Sequence, residues 1–406
     1  MPPAPSDAPT ALLLENVHPN GETMLAEAGY ALQTEKRALD EDELIERLPG
    51  VQVLGLRSKT QLTARVLENA PDLLAVGAFC IGTNQIDLPA ATERGIAVFN
   101  APYSNTRSVV EMAIAEIIVL IRRLTDKNAG MHEGRWDKSA TGAHEVRGRT
   151  LGIIGYGNIG SQLSVVAESL GLRVCFFDTV DKLSLGNAHR CGSMEELLAK
   201  ADVVTLHVDG RPGNSGLFGE DLFAAMKPGS IFLNLSRGFV VDHAALRAHL
   251  SSGHLAGAAI DVFPTEPKGA GEEFVSELRG LPNVILTPHI GGSTEEAQAD
   301  IGLFVGGKLR DYVDTGATTL SVNLPALTLP AVEKATRIVH LHHNVPGVLA
   351  EINGLLARHD VNVEGQLLGT RGEIGYVITD ISTDRPGDLT SELADMQTTI
   401  RLRLLP

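Results

Sequence analysis

One short glycine-rich stretch constrains the fold of this chain more than any other. "GYGNIG" places Gly155, Gly157 and Gly160 directly after the apolar run "LGII" and at the start of the amphipathic segment "NIGSQLSVVAESLG". A buried strand that passes through such a turn into a helix is typical of the first βαβ unit of a dinucleotide-binding sheet. We therefore predict a Rossmann-type, doubly wound parallel sheet that begins at this stretch.

An acidic residue lies where such a sheet would need it. The apolar run "RVCFF" ends at Asp178, 18 residues after Gly160. A carboxylate there can accept hydrogen bonds from the ribose of the adenosine and repel a 2′-phosphate, so we predict NAD as cofactor rather than NADP. The glycines would permit a tight turn, backbone approach to a pyrophosphate and close helix packing, and the helix N-terminus would favour phosphate. The alternative is that they serve packing alone.

Apolar runs alternate with helical patterns through most of the chain. One series of such runs ends near Asn105, and a helix over about 106–124 leads into the second series, which reaches 283–289. Non-alternating apolar strands separated by helices indicate parallel sheets that are buried on both faces. The Pro-rich stretch around 319–334 predicts a linker, and the remainder follows the order βαββαβ, the ferredoxin-like pattern.

Three strand ends of the second series carry reactive side chains. "LNLSRG" ends in Arg237, "AAIDVFPTEP" brings Glu266, and "LTPHIGG" brings His289. Each alone is as well explained as an ordinary loop residue, but ligands of open α/β sheets bind at the carboxyl ends of strands. Histidine can act as a base, a glutamate can fix its tautomer, and arginine can hold a carboxylate in bidentate fashion. Beside NAD, this set predicts oxidation of a 2-hydroxy acid.

Composition excludes several other classes. The formal net charge is −16 and no long basic block is present, which argues against nucleic acid and anionic membranes as partners. Cys80, Cys175 and Cys191 form neither a disulfide framework nor a Cys-x-x-Cys pair, so we expect no metal site and a reducing, cytoplasmic location. The N-terminus has no signal-peptide pattern. The apolar segment "SVVEMAIAEIIVLIRRL" carries charges, so we predict a buried helix of a soluble protein rather than a membrane-spanning helix.

At this point the sequence resembles a known family. The glycine loop, "SRGFVVD", "GAAIDVFPTEP" and "TPHIGGSTEEAQ" are similar to the D-isomer-specific 2-hydroxyacid dehydrogenases. "GAFCIGTNQIDL", "FNAPYSNTRSVVEM" and the C-terminal unit narrow the resemblance to the short bacterial branch that acts on 3-phosphoglycerate, and together these blocks span about residues 11–406. Phe239 departs from the pattern, because we expect a smaller residue there, and it could alter the packing behind Arg237.

The resemblance implies a division of the chain. A disordered lead-in would occupy 1–10, and a flavodoxin-like α/β substrate domain would combine 11–105 with 295–325. The NAD-binding domain would span 106–294, followed by a linker at 326–335 and an ACT regulatory domain at 336–406.

The resemblance also implies site residues. Arg237 would bind substrate, Glu266 would assist, and His289 would be the acid and base. Further cofactor contacts would fall, in addition to the three glycines and Asp178, on Asn158, Ile159, His207, Leu235, Ser236, Arg237, Asp261, His289, Ile290, Gly291 and Gly292.

A phosphorylated substrate needs further cations. "GLRSKT" offers Arg57, Ser58 and Lys59 at a strand end, and Asn105 at the domain junction could donate to substrate oxygens. By resemblance, Lys36 and Lys138 are additional candidates. The alternative for Arg57 is a solvated loop charge. Trp136, the only tryptophan, lies in a polar stretch and predicts either a subunit contact or local packing.

The C-terminal unit carries nothing that the chemistry requires, and it resembles the ACT domain, which binds amino acids. The resemblance implies that L-serine binds between the paired domains of two subunits and inhibits the enzyme, with His342, Asn344 and Asn362 as contacts, in a homotetramer. The alternative is that these are ordinary polar residues of a packing domain.

The resemblance implies NAD-dependent oxidation of D-3-phosphoglycerate to 3-phosphohydroxypyruvate, the first step of serine biosynthesis, with reduction of 2-oxoglutarate as a further activity. Two alternatives stay open. The chain could oxidise another 2-hydroxy acid such as lactate, glycerate or 2-hydroxyglutarate, or it could be a non-catalytic sensor of dinucleotides. A sensor has no need of a base, which counts against the second alternative.

Overall fold

The computed structural model describes residues 8–267, 271–332, 335–382 and 387–405. Most of the predicted lead-in and residues 333–334 of the predicted linker lie outside these ranges. Two compact units divide the chain: one combines the residues up to Ser104 with those from Gln298 onward, and the other spans Asn105–Ala297.

The first unit opens with a five-stranded parallel sheet in the order β2-β1-β3-β4-β5. In chain order its elements are β1 (Thr10–Leu13), α1 (Pro19–Glu27), β2 (Ala31–Thr34), α2 (Glu41–Arg47), β3 (Val53–Leu56), α3 (Ala64–Glu68), β4 (Ala75–Ala78), α4 (Leu88–Glu93) and β5 (Ala97–Asn100). Side-chain caps fix the helix starts: Asp40 forms a capping box with Glu43, and Thr63 and Asp87 each accept from a first-turn amide.

The second unit contains a seven-stranded parallel sheet in the order β12-β11-β10-β9-β6-β7-β8. Its elements are α5 (Thr106–Ile121), α6 (Leu124–His132), β6 (Thr150–Ile154), α7 (Asn158–Ser169), β7 (Arg173–Phe177), β8 (His189–Arg190), α8 (Met194–Lys200), β9 (Val203–Leu206), α9 (Glu220–Ala225), β10 (Ser230–Asn234), α10 (His243–Ser251), β11 (Leu255–Ile260) and β12 (Val284–Leu286). The strand order reverses at β6, so the glycine loop that follows β6 lies at the topological switch point, where dinucleotides bind.

The chain then passes through a long helix into a four-stranded antiparallel sheet. The elements are α11 (Glu295–Thr315), β13 (Thr336–His343), α12 (Val348–Arg358), β14 (Val363–Arg371), β15 (Ile374–Ile381), α13 (Asp388–Ala394) and β16 (Thr399–Leu405). The sheet order β14-β15-β13-β16 and the sequence of elements give the ferredoxin-like fold. The predicted fold class is therefore confirmed.

The antiparallel sheet shares a core with the parallel sheet of the first unit. Val339 and Leu341 of β13 and Tyr376 of β15 belong to the same apolar cluster as Phe99 and Tyr312. Hydrogen bonds reinforce this contact. The Tyr376 hydroxyl donates to the Gly316 carbonyl. On β16, Arg401 donates to the Leu73 carbonyl and Arg403 to the carbonyls of Tyr312 and Val313. Within the predicted linker, Leu327 is buried in this cluster.

Three features differ from the sequence-based expectations. β2 and β8 were not expected, because "ALQT" is half polar and β8 is only two residues long at a sheet edge. The helix predicted to reach residue 124 ends at Ile121, since Arg123 adopts a left-handed φ of 54° and starts a second helix. Phe239, which could have altered the packing behind Arg237, is 37 % exposed and not buried.

In the described part of the chain, no helix combines the length and the apolar character that crossing a membrane requires. The cytoplasmic location stays a prediction.

Candidate active site

The glycine loop has the shape of a phosphate cradle. A Cβ on Gly155, whose φ is 91°, would lie 2.5 Å from the His207 carbonyl oxygen, and one on Gly160 would lie 2.3 Å from the Gly155 carbonyl oxygen. Gly157 instead faces open space, with no neighbouring atom within 4 Å of its missing Cβ. α7 begins at the next residue without a side-chain cap, so the free amides at Asn158 and Ile159 face this space. The residues present therefore fit a dinucleotide pyrophosphate.

Asp178 follows β7 and is tied to the glycine loop. One of its carboxylate oxygens accepts the backbone N–H of Tyr156 at 2.8 Å, and the other accepts the N–H of Val180 at 2.9 Å. Each carboxylate oxygen has a second lone pair. Asp178 thus stands at the loop edge with acceptor capacity left for ribose hydroxyls, as the predicted preference for NAD requires.

His207 follows β9 and is partly buried. Its Nε2 lies 3.0 Å from the Thr205 hydroxyl, while Nδ1 is buried without a partner among the described residues. Burial lowers the pKa of His207 to about 4, so the ring is neutral. The backbone carbonyl of His207 packs against Gly155. The observed contribution of His207 to the glycine loop is therefore made by its backbone and not by its ring.

Arg237 is held at the end of β10 by its neighbours. The Asn234 side chain donates to the Arg237 carbonyl at 3.0 Å and accepts from both the backbone N–H and the hydroxyl of Ser236. Gly238 lies against another strand end, where a Cβ would approach the Phe263 carbonyl carbon to 1.9 Å. The buried Asn234, which sequence reasoning missed, therefore fixes the backbone from which the half-buried Arg237 extends.

His289 and Glu266 form a hydrogen-bonded pair. Nδ1 of His289 lies 2.9 Å from one carboxylate oxygen of Glu266 and 3.1 Å from the other. The second ring nitrogen, Nε2, has no partner among the described residues, and about half of the side chain is exposed. The carboxylate must accept, so Nδ1 carries the proton and Nε2 presents a lone pair. This is the tautomer that a general base needs.

Asp261 holds the loop that carries His289. Its backbone carbonyl accepts the N–H of His289 at 2.8 Å, and its carboxylate accepts from the Thr287 hydroxyl and the amides of Ile290 and Gly291. His289 itself has a φ of 55°, which is uncommon for a residue with a side chain and is typical of functional sites. The observed role of Asp261 is thus to shape this loop, and its contact with the cofactor stays a prediction.

The pKa values of His289 and Glu266 are shifted in opposite directions, as expected for a base and the carboxylate that supports it. The hydrogen bond to Glu266 raises the pKa of His289, and this outweighs the opposite effect of burial. Burial raises the pKa of Glu266, but the hydrogen bonds from His289 and from the Phe263 amide outweigh it, so the carboxyl pKa lies below its usual range. Glu266 is therefore ionised, and it stabilises the imidazolium that forms when His289 takes a proton.

Gly291 and Gly292 leave little room beside this loop. A Cβ on Gly291 would lie 3.0 Å from the Asp261 carboxylate, and one on Gly292 would lie 2.0 Å from the Asn105 amide nitrogen. The Asn105 side-chain oxygen is buried without a partner among the described residues. Asn105, a candidate hydrogen-bond donor to the substrate, is thus adjacent to the loop that carries His289 within the second unit.

The other candidate cations are divided between the two units. In the first unit, Lys36 follows β2, and Arg57, Ser58 and Lys59 follow β3 at the same carboxyl edge of the sheet. In the second unit, Lys138 is exposed, and its ammonium lies 5.6 Å from the centre of the Trp136 ring. Trp136 is 72 % exposed, so local packing does not account for it.

The three predicted serine contacts are not together within one chain. His342 is buried, its Nδ1 lies 2.8 Å from the His343 carbonyl, and its ring fills the space beside Gly375. Asn344 donates to the Gly372 carbonyl at the turn between β14 and β15, whereas Asn362 precedes β14 at its opposite end. A nine-residue strand is about 30 Å long, which separates the two asparagines.

Among the residues that the structure describes, no group of three His, Cys, Asp or Glu side chains is placed to hold a metal ion.

The chain is similar to known proteins over nearly its whole length. The family model for the NAD-binding domain of D-isomer-specific 2-hydroxyacid dehydrogenases matches residues 114–291, and a model for ACT domains like that of the AHAS small subunit matches 338–401. A D-3-phosphoglycerate dehydrogenase of Haemophilus influenzae is 52 % identical over 97 % of this chain and 96 % of its own. That of Escherichia coli K12 is 49 % identical over 97 % of both chains.

The fold is also similar to that of solved structures. D-lactate dehydrogenase from Aquifex aeolicus, complexed with NAD and lactic acid, is 26 % identical, with a TM-score of 0.65, over 75 % of this chain and 95 % of its own. NAD is the cofactor, and the protein is a dehydrogenase of D-2-hydroxy acids. The chain belongs to the D-3-phosphoglycerate dehydrogenase family.

Proposed function

We propose that this enzyme oxidises D-3-phosphoglycerate at its C2 hydroxyl to 3-phosphohydroxypyruvate, the first step of serine biosynthesis. The observation that carries the proposal is the His289–Glu266 pair, in which Nδ1 is bonded to the carboxylate and Nε2 has no partner among the described residues. The near-full-length similarity to relatives named for this activity supports the choice of substrate.

The residues divide the reaction among them. Arg237 binds the C1 carboxylate and thereby orients C2. Nε2 of His289 accepts the hydroxyl proton, and the ionised Glu266 stabilises the resulting imidazolium. NAD, when bound at the glycine loop, supplies the hydride acceptor. In the reverse direction, His289 returns the proton to the carbonyl oxygen.

The distal phosphate would be bound by the cations at the sheet edge of the first unit. Lys36, Arg57 and Lys59 make no salt bridge with any described residue, so their charges are available to an anion. A distal carboxylate is also an anion, and the same cations would accept 2-oxoglutarate as a substrate for reduction. Lactate has no distal anion and would be a poor substrate.

A substrate panel tests this proposal. NADH formation should be fastest, in kcat/KM, with D-3-phosphoglycerate, slower with D-2-hydroxyglutarate, and slowest with D-glycerate and D-lactate. A preference for D-lactate or D-glycerate would favour the alternative of another D-2-hydroxyacid dehydrogenase. NAD binding without turnover of any member of the panel would favour a dinucleotide sensor.

We further propose that L-serine inhibits the enzyme by binding between the ACT domains of two subunits in a homotetramer. β14 is an edge strand, and the side chains of Val363, Leu367 and Leu368 along it are exposed. Antiparallel pairing of two copies of β14 would bring Asn362 of one copy to the Asn344 end of the other, so that the contacts separated within one chain would meet. Such an open edge favours pairing with a second strand.

Inhibition by serine and its dependence on Asn344 test this regulation. Millimolar or lower L-serine should reduce turnover of the intact enzyme, and Asn344→Ala should relieve inhibition with little change in uninhibited turnover. Coupling between distant sites is typically about 1–3 kcal/mol, which corresponds to a roughly 5- to 150-fold change in affinity. Unchanged turnover at every serine concentration would exclude the regulatory role, and sedimentation of the intact protein would report the subunit number.

A further inference from the structure

An acidic residue lies at the same sheet edge as Lys36, Arg57 and Lys59, the cations proposed to bind the substrate phosphate. Glu15 follows β1, the strand between β2 and β3, and is 8 % exposed although it carries a carboxyl group. Its φ is 63°, and the next residue, Asn16, also has a positive φ of 55°. Two consecutive non-glycine residues in the left-handed region are disfavoured, so the surrounding contacts must hold them there.

Glu15 bonds to both cation-bearing loops. Its two carboxylate oxygens accept the backbone amides of Lys59 at 3.0 Å and Thr60 at 2.8 Å, in the loop after β3. Its own backbone N–H donates to the carbonyl of Arg37 at 3.3 Å, in the loop after β2 that contains Lys36. The left-handed backbone lets one residue reach the two loops on either side of its strand.

The loop after β3 is held from its other side as well. Gln85, which follows β4 and is 7 % exposed, donates its side-chain N–H to the Arg57 carbonyl at 2.5 Å and to the Gly82 carbonyl at 3.3 Å. The two strands adjacent to β3 thus each place one buried side chain against the loop. These bonds fix the backbone, while the side chains of Arg57 and Lys59 make no salt bridge with a described residue.

Charge alone does not explain an acid at this position. An ionised carboxylate near a bound phosphate would weaken the binding by repulsion. In Glu15, however, each oxygen accepts a backbone amide, and those amides partly compensate its charge. The geometry therefore indicates that the carboxylate serves to fix the loops and does not meet the substrate.

We propose that Glu15 is a positioning residue for the distal anion of the substrate: it sets the separation of the Lys36 loop from the loop of Arg57 and Lys59. This inference rests on the proposed function, because it requires that these cations bind the phosphate.

Glu15→Asn is the main test variant. Asparagine tolerates the left-handed backbone, so the fold should be kept, but its shorter side chain cannot reach the amides of Lys59 and Thr60. We expect KM for D-3-phosphoglycerate to rise on the order of 10- to 100-fold, as misplaced binding groups produce. The kcat, KM for NAD and KM for D-glycerate, which lacks the phosphate, should stay within roughly threefold.

Glu15→Gln separates positioning from charge. Glutamine keeps the length and one acceptor oxygen but loses the charge, so KM for D-3-phosphoglycerate should rise less than in the asparagine variant. If the carboxylate acted only by repulsion, KM would instead fall. Glu46→Gln removes one charge from an exposed position on α2 and should leave every constant unchanged.

A double-mutant cycle separates this inference from the proposed function. Arg57→Ala combined with Lys59→Ala should raise KM for D-3-phosphoglycerate, and adding Glu15→Asn should then have little further effect, because Glu15 acts through that loop. If the double alanine variant raises this KM and Glu15→Asn does not, the role of Glu15 is overturned and the phosphate site stands. If the double alanine variant leaves KM unchanged, the phosphate site itself is wrong. Equal increases for phosphorylated and unphosphorylated substrates would also overturn the role of Glu15.

Discussion

Glu116 makes the stability of this protein depend on pH. It lies within α5 and is 5 % exposed, and neither carboxyl oxygen has a hydrogen-bond partner among the described residues. Burial raises the pKa of Glu116 from 4.5 to about 8, and the negative charge of Asp261 adds to the rise. The informative substitution is Glu116→Gln, which keeps the shape of the neutral acid and removes its titration.

The expected magnitude follows from linkage. Between pH 4.5 and about 8 this carboxyl is neutral in the folded state and ionised in the unfolded state. The contribution of Glu116 to stability is therefore full below pH 4.5 and is lost as the pH rises through about 8. At about 1.4 kcal/mol per pKa unit, the whole interval corresponds to about 5 kcal/mol. Water penetration and small backbone shifts lower such costs, so we expect a measured difference of about 2–4 kcal/mol.

Thermal unfolding of wild type and Glu116→Gln, measured from about pH 5 to pH 9, tests this reasoning. The glutamine variant should match wild type near pH 5, become progressively more stable than wild type up to about pH 8, and keep a constant advantage above that, corresponding to several degrees in Tm. Glu111→Gln is the matched control, because Glu111 is on the same helix with its side chain 60 % exposed. A difference between wild type and Glu116→Gln that does not vary with pH would refute the reasoning.

Four further predictions concern the active site. His289→Asn should lower kcat by roughly 10²- to 10⁴-fold while NAD binding, measured by fluorescence titration, is retained; a variant that keeps most of its turnover would remove His289 from the mechanism. Glu266→Gln removes the negative charge and weakens the hydrogen bond that together raise the pKa of His289, so the acidic limb of the kcat/KM profile should move to lower pH, and an unmoved limb would assign it to another group. Asp178→Ser should weaken NAD and narrow its advantage over NADP in kcat/KM, whereas an unchanged ratio would mean that another residue contacts the ribose. Gly238→Ala would force a Cβ to within 1.9 Å of the Phe263 carbonyl carbon, so Tm and activity should both fall, while Gly213→Ala, at a site with open space, should change neither.

Local spacing was enough to predict the dinucleotide-binding unit. The glycines after β6 and the acid after β7 must lie at fixed separations along the chain, because a tight turn, a helix start and the end of the next strand are consecutive pieces of one βαβ unit. The same applies to Arg237, Glu266 and His289, since the ends of parallel strands meet at one edge. Their place at one edge of the sheet could therefore be predicted from the order of residues alone, and the chemical roles assigned to them stay predictions.

Contacts between distant segments could not be predicted in this way. Asn234 has no motif of its own, and its part in holding Arg237 depends on a turn that only the folded backbone shows. The bonds from the Asp261 carboxylate to the loop of His289 were not expected, and the contact of Asp261 with the cofactor stays a prediction. The burial of the His342 ring beside Gly375 was not expected either and arises because β13 is a central strand, while its place at an effector site stays a prediction.

Glu15 shows most clearly why contacts between distant segments cannot be predicted from the sequence. In the sequence it is one acid after a short apolar run, 44 residues from Lys59, and nothing nearby marks it. Only the strand order β2-β1-β3 brings the loops after β2 and β3 to either side of it, and only the left-handed backbone turns its carboxylate toward the amides of Lys59 and Thr60. The sequence by itself determined which chemical groups are present and which strand end carries each of them, because the distance from a residue to the end of its own strand is local. The tertiary structure decided which groups are bonded to one another, because strand order and burial join residues that the chain keeps apart.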